Sequence, residues 1–348
     1  MKYVITSLFI CLLAINVVFS QEKTFNKYIE SGIALHDAGK YQRAINQYEK
    51  ALKINKKSTL AHAEIAYSYT GMNNVKMALK HVNRAFKGDN PDNFPMIYIL
   101  KGNVLDNMGK TKQAVKIYQK GIAKHPEMSI LYFNLGITQM RAGATTKAKN
   151  AFITAISKNY SHASSHYYLG KLMEKEGEKV PAMLAYYFFL LLEPETIRAD
   201  EIYDRLLELV SINNDGGTGK KEPTTIDLSW KEGEELDLSF MTVELMLSSM
   251  NALNSTLEGN EEKTTTNVLI EQTKSIFNLL EELSEDGNKQ GIWWDFYTAY
   301  FTHLSECEVI TAFCHHIGLS KGGDIALWIE AHEEETIDFV NCVNEYGR

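Results

Sequence analysis

Small and apolar positions recur along this chain with a step of 34 residues. Gly102, Gly136 and Gly170 form one column, Gly109, Gly143 and Gly177 a second, and Ala114, Ala148 and Ala182 a third. Upstream, Gly32 with Ala66, Ala44 with Ala78, and Ala51 with Ala85 keep the same step, before two extra residues around Gly88-Asp89-Asn90-Pro91 shift the register. A fixed period of this length marks an array in which each unit is a supersecondary element buried by its neighbours.

Inside a unit the apolar positions fall at helical spacing. In the third, Tyr98, Gly102 and Leu105 share one face of a first helix, Gly109 ends it, and Ala114, Tyr118 and Gly121 recur on a second helix before Pro126. Small residues let two antiparallel helices approach, aromatics fill the remaining space, glycine suits the left-handed cap and proline stops the second helix.

These columns resemble those of the tetratricopeptide repeat family. They can be followed through five units over 24–195, with Tyr28, Gly32, Tyr41, Ala44 and Tyr48 in the first and Leu169-Gly170, Gly177, Ala182, Tyr186 and Pro194 in the fifth. Asn73 replaces a usual glycine and His62 and His166 replace usual aromatics, so looser joints are expected there. Residues 196–212, with Ile202, Leu206, Leu209 and Val210 at helical spacing, read as a capping helix.

The resemblance implies a concave groove lined by the first helix of each unit. Carried over unit by unit, the partner-binding candidates are Ile29, Ile33, Glu64, Tyr67, Ile99, Asn103, Phe133, Asn134, Tyr167 and Lys171. Amides among them can pair with a peptide backbone, and the rings offer flat area. Some family members grip a terminal carboxylate with Lys, Asn and Arg. Here Asn103 and Asn134 keep the amide slots, but Ile99, Ser164 and Tyr168 stand where the cations are wanted, so that mode is excluded.

Beyond 212 the pattern changes. Residues 213–239 read as a linker, and the alternation of Ile226, Leu228 and Trp230 with Leu236, Leu238 and Phe240 suggests a β-hairpin or an extended segment. The glycines at 216, 217 and 219 lack the strand and helix of a phosphate loop. Residues 240–348 return to helical spacing without a second repeat, with helices expected at 240–257, 267–285, 291–304, 306–318, 322–331 and 333–345. Ser305 and Glu308 suggest a capping box for the fourth of these, closed by Gly318. The aromatic run from Ile292 to Phe301 is either core or an exposed patch.

The overall expectation is an all-α chain, a solenoid of helical hairpins followed by a smaller helical domain. At its start, the apolar stretch Val4 to Phe19, ending at Ser20 before Gln21-Glu22-Lys23, reads as a signal peptide over 1–20 and predicts a periplasmic or secreted protein without an integral membrane segment after cleavage. The net charge of −8 carries no clustered basic surface of the kind phosphate neutralisation needs, so nucleic acid is not an expected partner. After removal of Cys11 with the leader, Cys307, Cys314 and Cys342 allow one bridge or three thiols.

His303, Cys307, Cys314 and His315 lie near one another in sequence, but a turn expected at Ser305 separates them, so no metal is predicted. His332 with Glu333-Glu334-Glu335 lacks the second histidine of a zinc-protease helix, and no nucleophile elbow occurs. No catalytic residue and no cofactor is expected. The resemblance, together with the leader, implies an exported, non-catalytic scaffold that binds a peptide or partner protein in the groove. The alternative is an enzyme with a catalytic C-terminal helical domain and a substrate-recruiting array.

Overall fold

The computed structural model describes residues 2–210, 238–256, 264–285 and 289–346, and among them it contains seventeen α-helices and no strand. The chain divides into two compact units, 1–158 and 159–348. Nearly all of the expected hairpin segment, up to residue 237, lies outside the described residues.

The first unit holds four helix pairs: α1 (Lys2–Asp37) with α2 (Tyr41–Ile54), α3 (Thr59–Gly71) with α4 (Val75–Ala85), α5 (Met96–Asn107) with α6 (Thr111–Lys124), and α7 (Ser129–Arg141) with α8 (Thr145–Lys158). The glycine column explains how each pair closes. A Cβ on Gly32 would lie 2.2 Å from the Tyr48 ring, one on Gly102 2.3 Å from Tyr118, and one on Gly136 2.7 Å from Phe152. In these three pairs the second helix thus sets a buried ring against the bare backbone of the first. The second pair uses a complementary solution, in which Ala66 supplies a methyl group and Val82 replaces the ring, both fully buried in one core cluster.

The turns repeat as well. Gly39, Gly109 and Gly143 adopt φ of 70°, 71° and 72°, and Asn73 takes the same left-handed region at 56°, which asparagine tolerates better than most residues. The expected looseness at this joint is therefore corrected: Asn73 supplies the turn, and His62 packs inside, its Nδ1 3.4 Å from that of buried His81. The two extra residues also serve a purpose. Asp89 accepts the Thr59 amide at 3.1 Å and donates its own amide to the Lys57 carbonyl at 2.9 Å, tying the end of α4 to the start of α3.

The second unit is built around α10. It comprises α9 (Ala163–Glu176), α10 (Lys179–Leu192), α11 (Ile197–Val210), α12 (Leu238–Thr256), α13 (Thr265–Glu285), α14 (Ala299–Glu306), α15 (Ile310–Ile317), α16 (Asp324–Ala331) and α17 (Glu333–Glu345), with a wide helical turn at Ile292–Thr298 leading into α14. Every residue from Val180 to Leu191 is buried, and α10 contacts α9, α11, α12, α15 and the wide turn. A helix that is apolar all round belongs at the centre of its unit. The fifth hairpin, grouped with the array in the sequence reading, thus forms the middle of the C-terminal helices.

The aromatic run is core. Trp294, Tyr297, Tyr300 and Phe301 are buried, and Phe188 of α10 lies within ring-contact distance of Phe296, Tyr297, Tyr300 and Phe301. His166, the other expected loose joint, is wholly buried. Its Nε2 donates to the Tyr160 carbonyl at 2.7 Å, and its Nδ1 accepts from the Tyr297 hydroxyl at 2.6 Å. Burial lowers its pKa to about 3, which keeps the ring neutral and able to accept. The capping box at Ser305 is also corrected: Ser305 lies inside α14, the chain turns at Glu308 with φ of 60°, and α15 begins at Ile310.

Candidate functional site

The layer of first helices is where the repeat pattern places a ligand. Within the first unit, α1 touches α3, α3 touches α5 and α5 touches α7, whereas successive second helices make no comparable contact. The first helices are thus the more closely packed layer, and their outward residues form one continuous face.

The candidates on that face differ in availability. Tyr67 is 55% exposed and Ile33 39%. The Tyr67 ring stacks on His36 at 4.4 Å, and His36 is held by a 2.9 Å hydrogen bond to Ser68, so the tyrosine is a braced, open aromatic. Glu64 is half-buried beside it and accepts a long hydrogen bond of 3.4 Å from Tyr48. Burial, reinforced by the charge of Asp37, raises its pKa above the usual carboxylate range despite that bond.

Asn103 accepts from the Tyr118 hydroxyl at 2.7 Å, which leaves its two N–H groups to donate. Asn134 spends one N–H on the Ile130 carbonyl at 2.8 Å and keeps its own carbonyl. Phe133 is half-buried with its ring centre 6.0 Å from that of Phe152. The layer therefore offers an amide donor, an amide acceptor and rings at successive units.

Two candidates do not reach this surface. Ile29 and Ile99 are buried at 5% and 6% and belong to the core clusters of their units. Both turn their apolar side chains inward between neighbouring helices, which is where the transfer free energy of an isoleucine is gained. Tyr167 and Lys171 lie in the second unit. Lys171 pairs with Glu201 at 2.8 Å, which raises its pKa, and Tyr167 carries Lys171 and Arg198 over its ring at 5.3 Å each.

The cysteines are also settled in part. Cys307 and Cys342 form a disulfide joining α14 to α17, and Cys314 is a buried thiol whose pKa is pushed up to about 12 by burial. Contrary to the expected break at Ser305, α14 runs on and brings His303 to 3.7 Å from the Cys307 sulfur. His303, Cys307 and Cys342 could present three ligand atoms within 4.8 Å, but in the disulfide neither sulfur is the thiolate that a metal requires. The spacing of Cys307 and Cys342 carries no local signal, so the sequence alone could not pair them.

Helical hairpins stacked at a 34-residue step, in three of the four pairs closed by a glycine against a ring, give the first unit tetratricopeptide-type repeats. Residues 32–73 match the TPR repeat family and residues 99–148 the tetratricopeptide repeat family. Among relatives, the type IV pilus assembly protein PilF of Pseudomonas aeruginosa is 25% identical over 178 residues, covering 49% of this chain and 67% of that protein. Its solved structure superposes with a TM-score of 0.46 at 22% identity, over 55% of this chain and 90% of that one. Tetratricopeptide repeat protein 6 of Homo sapiens is 29% identical over 128 residues, which is 37% of this chain and 24% of the human protein. Among the described residues no helix is long and apolar enough to cross a membrane.

Proposed function

We propose that this protein is an exported, non-catalytic interaction scaffold that holds an extended peptide or a helix of a partner protein on its first-helix face. The observation that carries the reading is Tyr67: a large ring braced by His36 yet 55% exposed, on the layer that also presents Asn103, Phe133 and Asn134. A rigid aromatic with amides nearby provides contact area and backbone pairing at low entropy cost. The pilus assembly relative makes a polypeptide the favoured class of partner. Export rests on the apolar leader, and the disulfide between Cys307 and Cys342 suits an oxidising compartment.

A pull-down from the exported fraction tests this, run beside Tyr67→Ala and a triple variant carrying Asn103→Ala, Phe133→Ala and Asn134→Ala. A partner retained by the native protein and lost by folded variants supports the reading. Equal recovery from native and variant proteins overturns it.

A further inference from the structure

The repeat supplies an internal standard for every position, and one position departs from it in charge. Immediately before the glycine column stand Ser31 in the first unit, half-buried, and Ile65, Leu135 and Leu169 in the second, fourth and fifth, buried at 0%, 8% and 0%. In the third unit the same slot holds Lys101. A lysine in an aliphatic column forfeits packing and desolvates an ammonium. Burial, with the positive charge of Lys120 adding to it, lowers its pKa.

A cavity of about 380 Å³ lies elsewhere, but beside Lys101 there is one of about 370 Å³ between α4 and α6, with α5 as its floor. Leu79, Leu105 and Ile117 contribute apolar side chains to its lining, and Lys101, Lys110 and Lys116 are the charged residues in it. Its other lining residues are neutral amides, so the cavity contains no carboxylate. Among the described residues the first unit's ion pairs are Lys124 with Asp92, Arg141 with Asp106 and Lys158 with Glu127, none of which involves these three lysines. Lys101 Nζ has instead the Phe86 ring, 4.6 Å away. In a chain of net charge −8, this is a local excess of unpaired cations gathered around a hollow.

We infer that this cleft, on the second-helix side of the array, is a docking site for an acidic peptide of a partner protein. A glutamate or aspartate of the partner meets Lys101, Lys110 and Lys116, and an adjacent apolar side chain covers Leu79, Leu105 and Ile117. The mixture argues for a peptide over a free inorganic anion, which would leave the apolar side chains in water. The site is separate from the first-helix face, so the two readings stand or fall apart.

The test is fluorescence anisotropy with a labelled peptide of repeating Ala-Leu-Glu and its Ala-Leu-Gln counterpart. The native chain is expected to bind the Glu peptide about tenfold more tightly, with the difference shrinking as salt rises. Lys101→Leu restores the aliphatic column. It should fold at least as stably as the native chain and bind the Glu peptide about tenfold more weakly. Lys110→Gln with Lys116→Gln, both changes at exposed positions, should weaken it as well, and Tyr67→Ala should not. Equal affinity for the two peptides, unchanged binding by the folded Lys101→Leu protein, or displacement of the peptide by an equal concentration of inorganic phosphate would each overturn the inference.

Discussion

Replacing Gly102 with alanine puts the packing logic of the array to a quantitative test. The added methyl would lie 2.3 Å from two ring carbons of Tyr118, which is itself fully buried and hydrogen-bonded to Asn103. Helix propensity favours alanine over glycine by about 0.5–1 kcal/mol, but forcing a methylene-sized group into a filled core costs about 1–3 kcal/mol. The net expectation is a loss of about 1–2 kcal/mol. Tyr118→Val alone opens a cavity and costs about 3 kcal/mol or more. The second pair of helices already carries alanine and valine at these positions, as Ala66 and Val82. The double variant should therefore cost less than the two single changes added together, with a coupling of about 1–2 kcal/mol. All four tryptophans lie beyond residue 229, so their fluorescence does not report on this pair. Hydrogen exchange across α5 and α6 does, because it measures opening where it occurs. A stabilising Gly102→Ala, or a double variant whose cost equals the sum, would refute the reasoning.

Other consequences follow from the same contacts. His81 is buried against His62, and burial first, then the charge of that second ring, lowers its pKa from 6.5 to about 4. Because the folded value lies below the unfolded one, stability is complete above about pH 6.5 and is lost as pH falls toward 4. Urea midpoints should show a loss of about 1–2 kcal/mol over this window in the first unit, flattened in His81→Leu; a pH-independent native protein would contradict it. Reducing the Cys307–Cys342 bridge, whose sequence separation is 35, should destabilise the second unit by about 3–4 kcal/mol and raise exchange in α14 and α17 while leaving α5 and α6 unchanged. Gly109→Ala forces a Cβ into φ of 71° and should cost about 1–2 kcal/mol by thermal unfolding, and Gly109→Asn should cost less, as Asn73 already adopts such a conformation.

Much of the repeat was legible because its signals are local. Gly32, Gly102 and Gly136 mark helix contacts, Gly39, Gly109 and Gly143 mark turns, and each physical demand recurs at one spacing. The six helices expected after residue 239 also have described counterparts, although α15 starts later than expected because Glu308 turns the chain. What failed was finer than a helical period. Ile29 and Ile33 are one turn apart, yet one is core and the other open, since a few tens of degrees of rotation decide which neighbour a side chain meets. The central place of α10 is carried by its uninterrupted apolar run from Met183 to Leu192, which coincides with the repeat columns Ala182 and Tyr186 and is masked by them. Pairing of Cys307 with Cys342 depends on how α14 and α17 pack, which no spacing encodes.

The most direct test of the first-helix face is photocrosslinking in cells, with benzoylphenylalanine placed at Tyr67 and, as a control, at the exposed Glu49 of α2 on the second-helix layer. A discrete adduct with a partner polypeptide is expected from position 67 and none from 49. An adduct from 49 alone, or from neither position, would contradict it.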